Sequence, residues 1–270
     1  MRLITLNTFG GKCYEPLLEF IKQETPTTDL FLFQEMFRSN SDATESRGIR
    51  TNMFGEFSQI LPEFEGFFAA EQDGWDFEGK VDFDISAGQA TFVRKSIQVL
   101  STEETFVYRE RNGAVDTKTI PSVLLCTRIA MGPKTFSISN LHGLAHPPET
   151  LAKLHKEPHF LGHRDTPDRL LQSEKVLEFL KGEKEPKIIC GDFNLRPDTQ
   201  SFALLAEHMR NLVEEFSIER TRSRLSKHFN KKDFDAVVDY ILVSHDVAVE
   251  RFEVPNVEIS DHLPLILEFH

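Results

Sequence analysis

The tightest constraint on this chain is a recurring pattern, a short apolar run that ends in a polar residue. The segment Lys187–Asn194, KIICGDFN, shows it best: three apolar residues run into Gly191, and Asp192 and Asn194 follow two positions apart. In an extended chain those two side chains share one side while Phe193 turns the other way into packing. Gly191 lets a backbone or a ligand approach closely. The same pattern places Asn7 after RLITL, Glu35 after LFLFQ, and Asn140 and His142 around the end of FSIS. One instance alone reads equally well as a strand ending in an Asx turn. Four instances describe a rim, because ligands of α/β sheets bind outside the carboxyl ends of the strands.

Two further polar groups sit at the opposite polarity. Asp239 lies early in AVVDYILV, and Ser260-Asp261-His262 precedes LPLILEF. To reach the same rim, their strands run antiparallel to the others. The expected fold is therefore α/β with mixed, mostly antiparallel sheets, not a purely parallel doubly wound sheet. Asp239 shares its side of the strand with Val237, Ile241 and Val243, where a carboxylate is costly to bury without a charged or donating partner. His262 is a fitting partner, since the carboxylate would hold one imidazole tautomer and favour the imidazolium. Asp239 as a cap on an exposed strand is the alternative. Asp261 and His262 are adjacent and need a turn to point inward together, which Pro264 and the extended residue before it allow.

Between these points the pattern alternates helix and strand. Tyr14–Thr25 is a predicted helix with Pro16 in its first turn, and Met53–Leu61 a second, stopped by Pro62. Leu30–Phe33, Phe64–Ala69, Ile85–Val93, Ile97–Ser101 and Thr105–Tyr108 read as strands, with hairpin character around Arg94-Lys95. Ser122–Ala130 and Thr135–Leu141 form a further hairpin. Thr166-Pro167-Asp168 supplies an N-cap, a first-turn proline and a first-turn acid for a helix ended by Gly182, with Leu170, Leu171, Val176, Leu177 and Leu180 inward. Ala236–Val243 and Val247–Val254 read as a hairpin, and Leu265–Phe269 as a last strand. No repeat, linker or low-complexity tract marks a boundary, so residues 1–270 read as one domain.

Composition excludes some classes. No apolar run approaches the ~18 residues that span a membrane, and the opening MRLITLNTFGG alternates too strongly for a signal-peptide core. Three scattered cysteines, two inside apolar runs, indicate a reducing, cytoplasmic setting. A net charge of −12 argues against broad attraction to a polyanion. Charge is uneven, however: Glu71–Asp84 is acidic, whereas residues 219–232 carry six Lys/Arg against one Glu.

Asn7, Gln34-Glu35, Asn140-Leu-His142, Gly191-Asp-Phe-Asn194, Val238-Asp239-Tyr and Ser260-Asp-His262 occur in the order, and at similar spacing, of the signature blocks of the endonuclease/exonuclease/phosphatase superfamily, which the chain resembles over nearly its whole length. Any one block is weak; six in order are specific. The resemblance implies a four-layer α/β sandwich, two facing sheets with helices outside and a site at one edge. It implies Glu35 as principal Mg²⁺ ligand, assisted by Asn7 and Asp261, with Mn²⁺ able to substitute. Mg²⁺ chemistry agrees, since that ion keeps most of its waters and takes one or two carboxylates plus phosphate oxygens. By the same resemblance Asp192 activates water, Asn194 positions it or the phosphate, and His142 and His262, the latter held by Asp239, donate to phosphoryl oxygens.

Other candidates rest on composition. Arg220 and Arg222 in the basic run are the best substrate-selecting residues, with a solvated loop as the competing reading. Asn140 belongs to the same low-specificity group. Arg128, mid-strand in SVLLCTRIAM, either pairs a carboxylate or reaches phosphate. His155, His159 and His163 recur every fourth residue, but Pro158 and Gly162 break the helix that would stack them into a zinc site. Trp75 and Tyr108 either stack on a base or sugar or simply pack. The leading functional expectation is a monomeric phosphodiesterase acting on nucleic acid. A phosphoesterase of small or lipid-linked substrates, and a silent binding module, are the alternatives.

Overall fold

The computed structural model describes residues 1–116, 119–145, 164–227, 229–230 and 234–270. The chain opens with β1 (Arg2–Asn7), α1 (Tyr14–Glu24) and β2 (Leu30–Arg38), then a small hairpin β3 (Glu45–Ser46) and β4 (Ile49–Arg50). Next come α2 (Met53–Ile60), β5 (Phe64–Asp73), a second small hairpin β6 (Trp75–Asp76) and β7 (Gly79–Lys80), and β8 (Ser86–Arg94). Strands β9 (Gln98–Tyr108), β10 (Ser122–Met131) and β11 (Lys134–His142) lead to α3 (Pro167–Gly182) and β12 (Lys187–Asp192). A short helix at Gln200–Ala206 precedes β13 (Arg210–Asn211), β14 (Asp239–Val243), β15 (Val249–Glu253) and β16 (Leu265–Phe269).

Two six-stranded mixed sheets result, ordered β15-β16-β1-β2-β8-β5 and β13-β14-β12-β11-β10-β9. They pack face to face, with β1 and β2 against β11 and β12. Alternation in β1 explains the layering: Leu3 joins the core between the sheets, while Ile4 and Leu6 point outward onto α1 and α2 beside Phe31 and Phe33. Val176 and Leu180 of α3, with Phe202 and Leu205, cover the outer face of the second sheet. The architecture is the α/β sandwich of two mixed sheets with helices outside. The two reversed strands are as expected, β14 antiparallel to β12 and β16 antiparallel to β1.

Two expected hairpins are not formed. β8 pairs with β2 and β5, whereas β9 pairs with β10, so the turn at Arg94–Ile97 carries the chain from one sheet to the other. Likewise β14 belongs to the second sheet and β15 to the first. Short sequence separation favoured pairing, but burying both faces of two sheets favoured crossing. On α3, Leu171 is exposed and Arg169 is buried instead, on a stripe with Ser173, Val176 and Leu180. Among the described residues no helix is long and apolar enough to cross a membrane. His155, His159 and His163 lie outside the described residues.

Candidate active site

The period of two that sorts each strand also sorts the rim. In β1, Leu3, Thr5 and Asn7 face the second sheet, and in β12 Cys190 and Asp192 face back, with the Cys190 thiol against Thr5. One step further up, the Asn7 amide donates to Asp192 Oδ2 at 3.0 Å. Asp192 is thus fixed by the opposite sheet, and Asn194 N donates to its other oxygen at 2.9 Å. The strand stops at Asp192, and Asn194 takes φ 52° in an Asx turn. The turn and the chemistry coexist. Asn194 Nδ2 in turn donates to Gly143 O at 3.0 Å, bracing the segment after β11. The close approach at Gly191 is backbone: a Cβ there would stand 2.1 Å from Leu141 O.

Asp239 lies directly opposite Asp192 in the β12–β14 register, and both are almost fully buried. Two facing carboxylates repel unless a cation lies between them. That cation is His262. Its Nδ1 sits 2.9 Å from both Asp239 oxygens, and its Nε2 points at Asp192 Oδ2, 3.6 Å away. Burial alone would drag the imidazole pKa down. Asp239, Asp192 and Asp261 more than offset it and push the value up to about 10, so the ring is an imidazolium at neutral pH. Thr221 Oγ1 donates to Asp239 Oδ2 at 2.7 Å and completes its cradle.

Glu35 reaches the rim through a β-bulge. The β2–β8 register shifts between Phe33 and Met36, and Glu35 adopts φ 53°, a left-handed backbone uncommon for a non-glycine residue. Strain of this kind concentrates at functional sites. Burial raises the Glu35 carboxyl pKa; His142 opposes that effect and Asp261 adds to it. His142 Nε2 lies 3.8 Å from Glu35 and 3.9 Å from Asp192, buried and without a hydrogen-bond partner among the described residues. Asp261 Oδ1 and Arg222 Nε are likewise buried and unpartnered.

Three orphaned polar atoms around a surplus of carboxylates are what a divalent cation and a phosphoryl group would satisfy. Glu35 and Asp261 fit the cation, since Asp261 acts on the Glu35 carboxyl and has an oxygen to offer; Asn7 offers its Oδ1, whose present partner is Phe9 N at 3.0 Å. Asp192, Asp239 and His262 also bring ligand atoms within 4.8 Å of one another. That trio fits a cation less well, because Asp239 already receives His262 and Thr221.

The low-specificity candidates separate clearly. Asn140 lies one layer below His142, where its amide accepts from Gln34 Nε2 at 2.7 Å and donates to Phe33 O and Ala90 O; it ties the two sheets together and does not face a ligand. Arg128 is at the far end of β10, bonded to Glu183 at 2.5 Å and Glu103 at 2.7 Å. Of its two open readings, the structure takes the carboxylate. Arg222 reaches the rim and pairs with Asp261 at 3.4 Å, whereas Arg220 donates to Asn256 outside it.

Sequence reasoning missed two residues. Arg169 donates to the carbonyls of Leu144, Ala145 and Arg164, holding the Gly143–Ala145 segment beside the site. Its signal was an arginine at helical spacing from Val176 and Leu180. Glu71, in β5, is buried near His142 and Glu35, and burial pushes its carboxyl up to about 7. Nothing in EQDGWDFEGK distinguished it from its acidic neighbours.

A family model described as the endonuclease/exonuclease/phosphatase family matches residues 4–262. The chain belongs to that family. A sequence search against curated proteins finds no match. Among solved structures, the chain resembles a mannosyl-6-phosphatase from Bacteroides thetaiotaomicron at 17% identity and TM-score 0.66, covering 100% of this chain and 99% of that one. The human Nocturnin catalytic domain, with bound sulfate, is similar at 16% identity and TM-score 0.67, covering 100% and 94%. A family protein from Leptotrichia buccalis reaches TM-score 0.70 at 14% identity, covering 100% and 99%. At these identities the likeness carries the fold. The family is one of hydrolytic phosphoesterases, and in this chain Asn7, Glu35, His142, Asp192, Asp239, Asp261 and His262 lie together on one rim.

Proposed function

We propose that this protein hydrolyses phosphate esters with Mg²⁺, or Mn²⁺ in its place, and that the substrate is a small phosphoester. The observation that carries the reaction type is the His262 imidazolium held between Asp239 and Asp192, beside unpartnered His142 Nε2 and Asp261 Oδ1. Bound through Glu35, Asn7 and Asp261, the cation supplies Lewis-acid polarisation of a phosphoryl oxygen. Asp192, oriented by Asn7 and Asn194, accepts the proton of the attacking water. His262 Nε2 and His142 Nε2 donate to phosphoryl oxygens as negative charge grows on them. Such positioned groups contribute ~10²–10⁴-fold each.

The substrate reading rests on charge. Arg222 leaves one nitrogen, Nε, for a phosphoryl group while pairing with Asp261, and Arg220 is engaged with Asn256, so the two do not form a phosphate track, and the chain as a whole carries −12. A nuclease reading is favoured by Lys12 and Lys227, which flank the cavity next to Glu35. Turnover with Mg²⁺ and with EDTA over nucleotides, sugar phosphates, inositol phosphates, single-stranded DNA, RNA and abasic duplex discriminates. Cleavage of polymers in preference to all small esters overturns the small-substrate reading, and no turnover together with no Mg²⁺ binding overturns the enzyme.

A further inference from the structure

Beside the rim lies a cavity of about 330 Å³ that shares Glu35 and His142 with the site. Its apolar walls include Phe9, Phe37, Trp75, Phe77, Ile120 and Leu144, with Lys12, Asp76 and Lys227 among its polar lining. Flat apolar walls of this kind suit a ring, and the volume lies at the lower end of the ~300–1,000 Å³ typical of small-molecule pockets. An apolar lining alone would accept an acyl chain equally well. Glu71 decides against that: it lines the same cavity, is 4% exposed, and the hydrogen bond its carboxylate accepts from Val123 N is long at 3.3 Å. A buried carboxyl facing an apolar cavity calls for a hydrogen-bond donor from the occupant. Lys12 lies 4.7 Å from the centre of the Phe9 ring and 5.3 Å from that of Phe77, joining the aromatic wall to the charged rim.

We infer that this cavity holds the alcohol portion of the substrate, a single ring-bearing unit with hydroxyl or amine donors, such as a sugar or a nucleoside, whose phosphate lies at the rim. Glu71 accepts from that unit and the aromatic residues face its ring. The inference deepens the small-phosphoester reading and rests on it for the placing of the phosphate.

Trp75 is the chain's only tryptophan and lines the cavity, so its fluorescence reports occupancy without turnover. The protein is titrated, with Mg²⁺ present, with a nucleoside monophosphate, a hexose phosphate, glycerol phosphate and inorganic phosphate, and phosphate release is followed in parallel. At least one ring-bearing ester is expected to change the Trp75 signal at concentrations tenfold or more below glycerol phosphate. Which of the two does so names the ring. Glu71→Gln and Phe77→Ala are each expected to weaken that ligand about tenfold and to weaken glycerol phosphate less, with circular dichroism at wild type showing the variants folded. Equal responses to all four ligands, or wild-type affinity for the ring-bearing ester in both variants, overturn the cavity assignment. Ring-selective binding without any phosphate release instead overturns the proposed reaction and leaves the cavity assignment standing.

Discussion

The two ends of the sandwich handle buried charge in opposite ways. At the end where β1 and β12 begin, the two arginines meet carboxylates: Arg128 meets Glu183 and Glu103, and Arg2 meets Glu24 at 2.5 Å with Glu268 further off. At the end where those strands finish, Glu35, Asp192, Asp239 and Asp261 converge on Arg222 and two imidazoles, with buried atoms left unpartnered. The same β12 supplies both ends, so the difference comes from what the neighbouring strands bring to each. A satisfied ion-pair end holds the fold. An end with surplus negative charge is costly in the empty protein and becomes favourable when a cation and a phosphate arrive. Four substitutions test that division.

The largest effect belongs at the unbalanced end. Asp192→Asn, nearly isosteric, and His262→Ala are each expected to lower Mg²⁺-dependent kcat by ~10³-fold or more while circular dichroism stays at wild type. Retention of most turnover by either pure variant would remove it from the chemistry. Next comes Glu35→Gln. Wild type should gain thermal stability with Mg²⁺, by about 2.7 kcal/mol at a hundredfold excess over Kd. The variant should lose that gain, measured by calorimetry and by Tm with and without the ion. An undiminished Mg²⁺ response would move the cation to other ligands. At the balanced end, Arg128→Ala should leave kcat unchanged and cost about 2 kcal/mol in urea unfolding, since it strands the nearly buried Glu183. A loss of kcat without a loss of stability would erase the distinction between the ends.

How far the sequence revealed these ends depended on the range of the signal. Strand-end residues were legible because a period of two assigns each side chain to a face, and Asn7, Asp192 and His142 follow it directly. The reversed strands were legible because Asp239 and His262 make chemical sense only if their strands run backwards. Partner choice was not. Residues 85–108 read as a hairpin from local spacing, yet β8 and β9 lie in different sheets, because pairing is settled by which faces the whole chain can bury. Asn140 shares the face of His142, and only the opposite sheet shows that one layer of depth turns a rim amide into a bridge to Phe33 and Ala90. Glu71 had no signal at all, since its neighbours are equally acidic and its burial is tertiary.

The most gradual expected effect concerns pH, and it follows from what surrounds His262. Its folded pKa, about 10, stands above the ordinary histidine value. The imidazolium therefore stabilises the fold fully below pH ~6.5, where both states are protonated, and this contribution is lost as pH rises towards 10. In that window the folded state holds a proton that the unfolded chain has released, so stability should fall by on the order of 1 kcal/mol per pH unit. Glu71 contributes with the same sign but lower, between ~4.5 and about 7, because burial raises its folded pKa. Urea midpoints taken above pH 8 isolate His262 from it. His262→Asn should make the decline between pH 8 and 10 shallower, leaving the part due to the buried Cys190 thiol, which burial pushes up to about 12, while Arg128→Ala, at the paired end, should keep the wild-type slope at a lower midpoint. A His262→Asn slope equal to that of wild type would mean that the ring is neutral between Asp239 and Asp192, and the facing carboxylates would then need another cation, with Mg²⁺ the first to test.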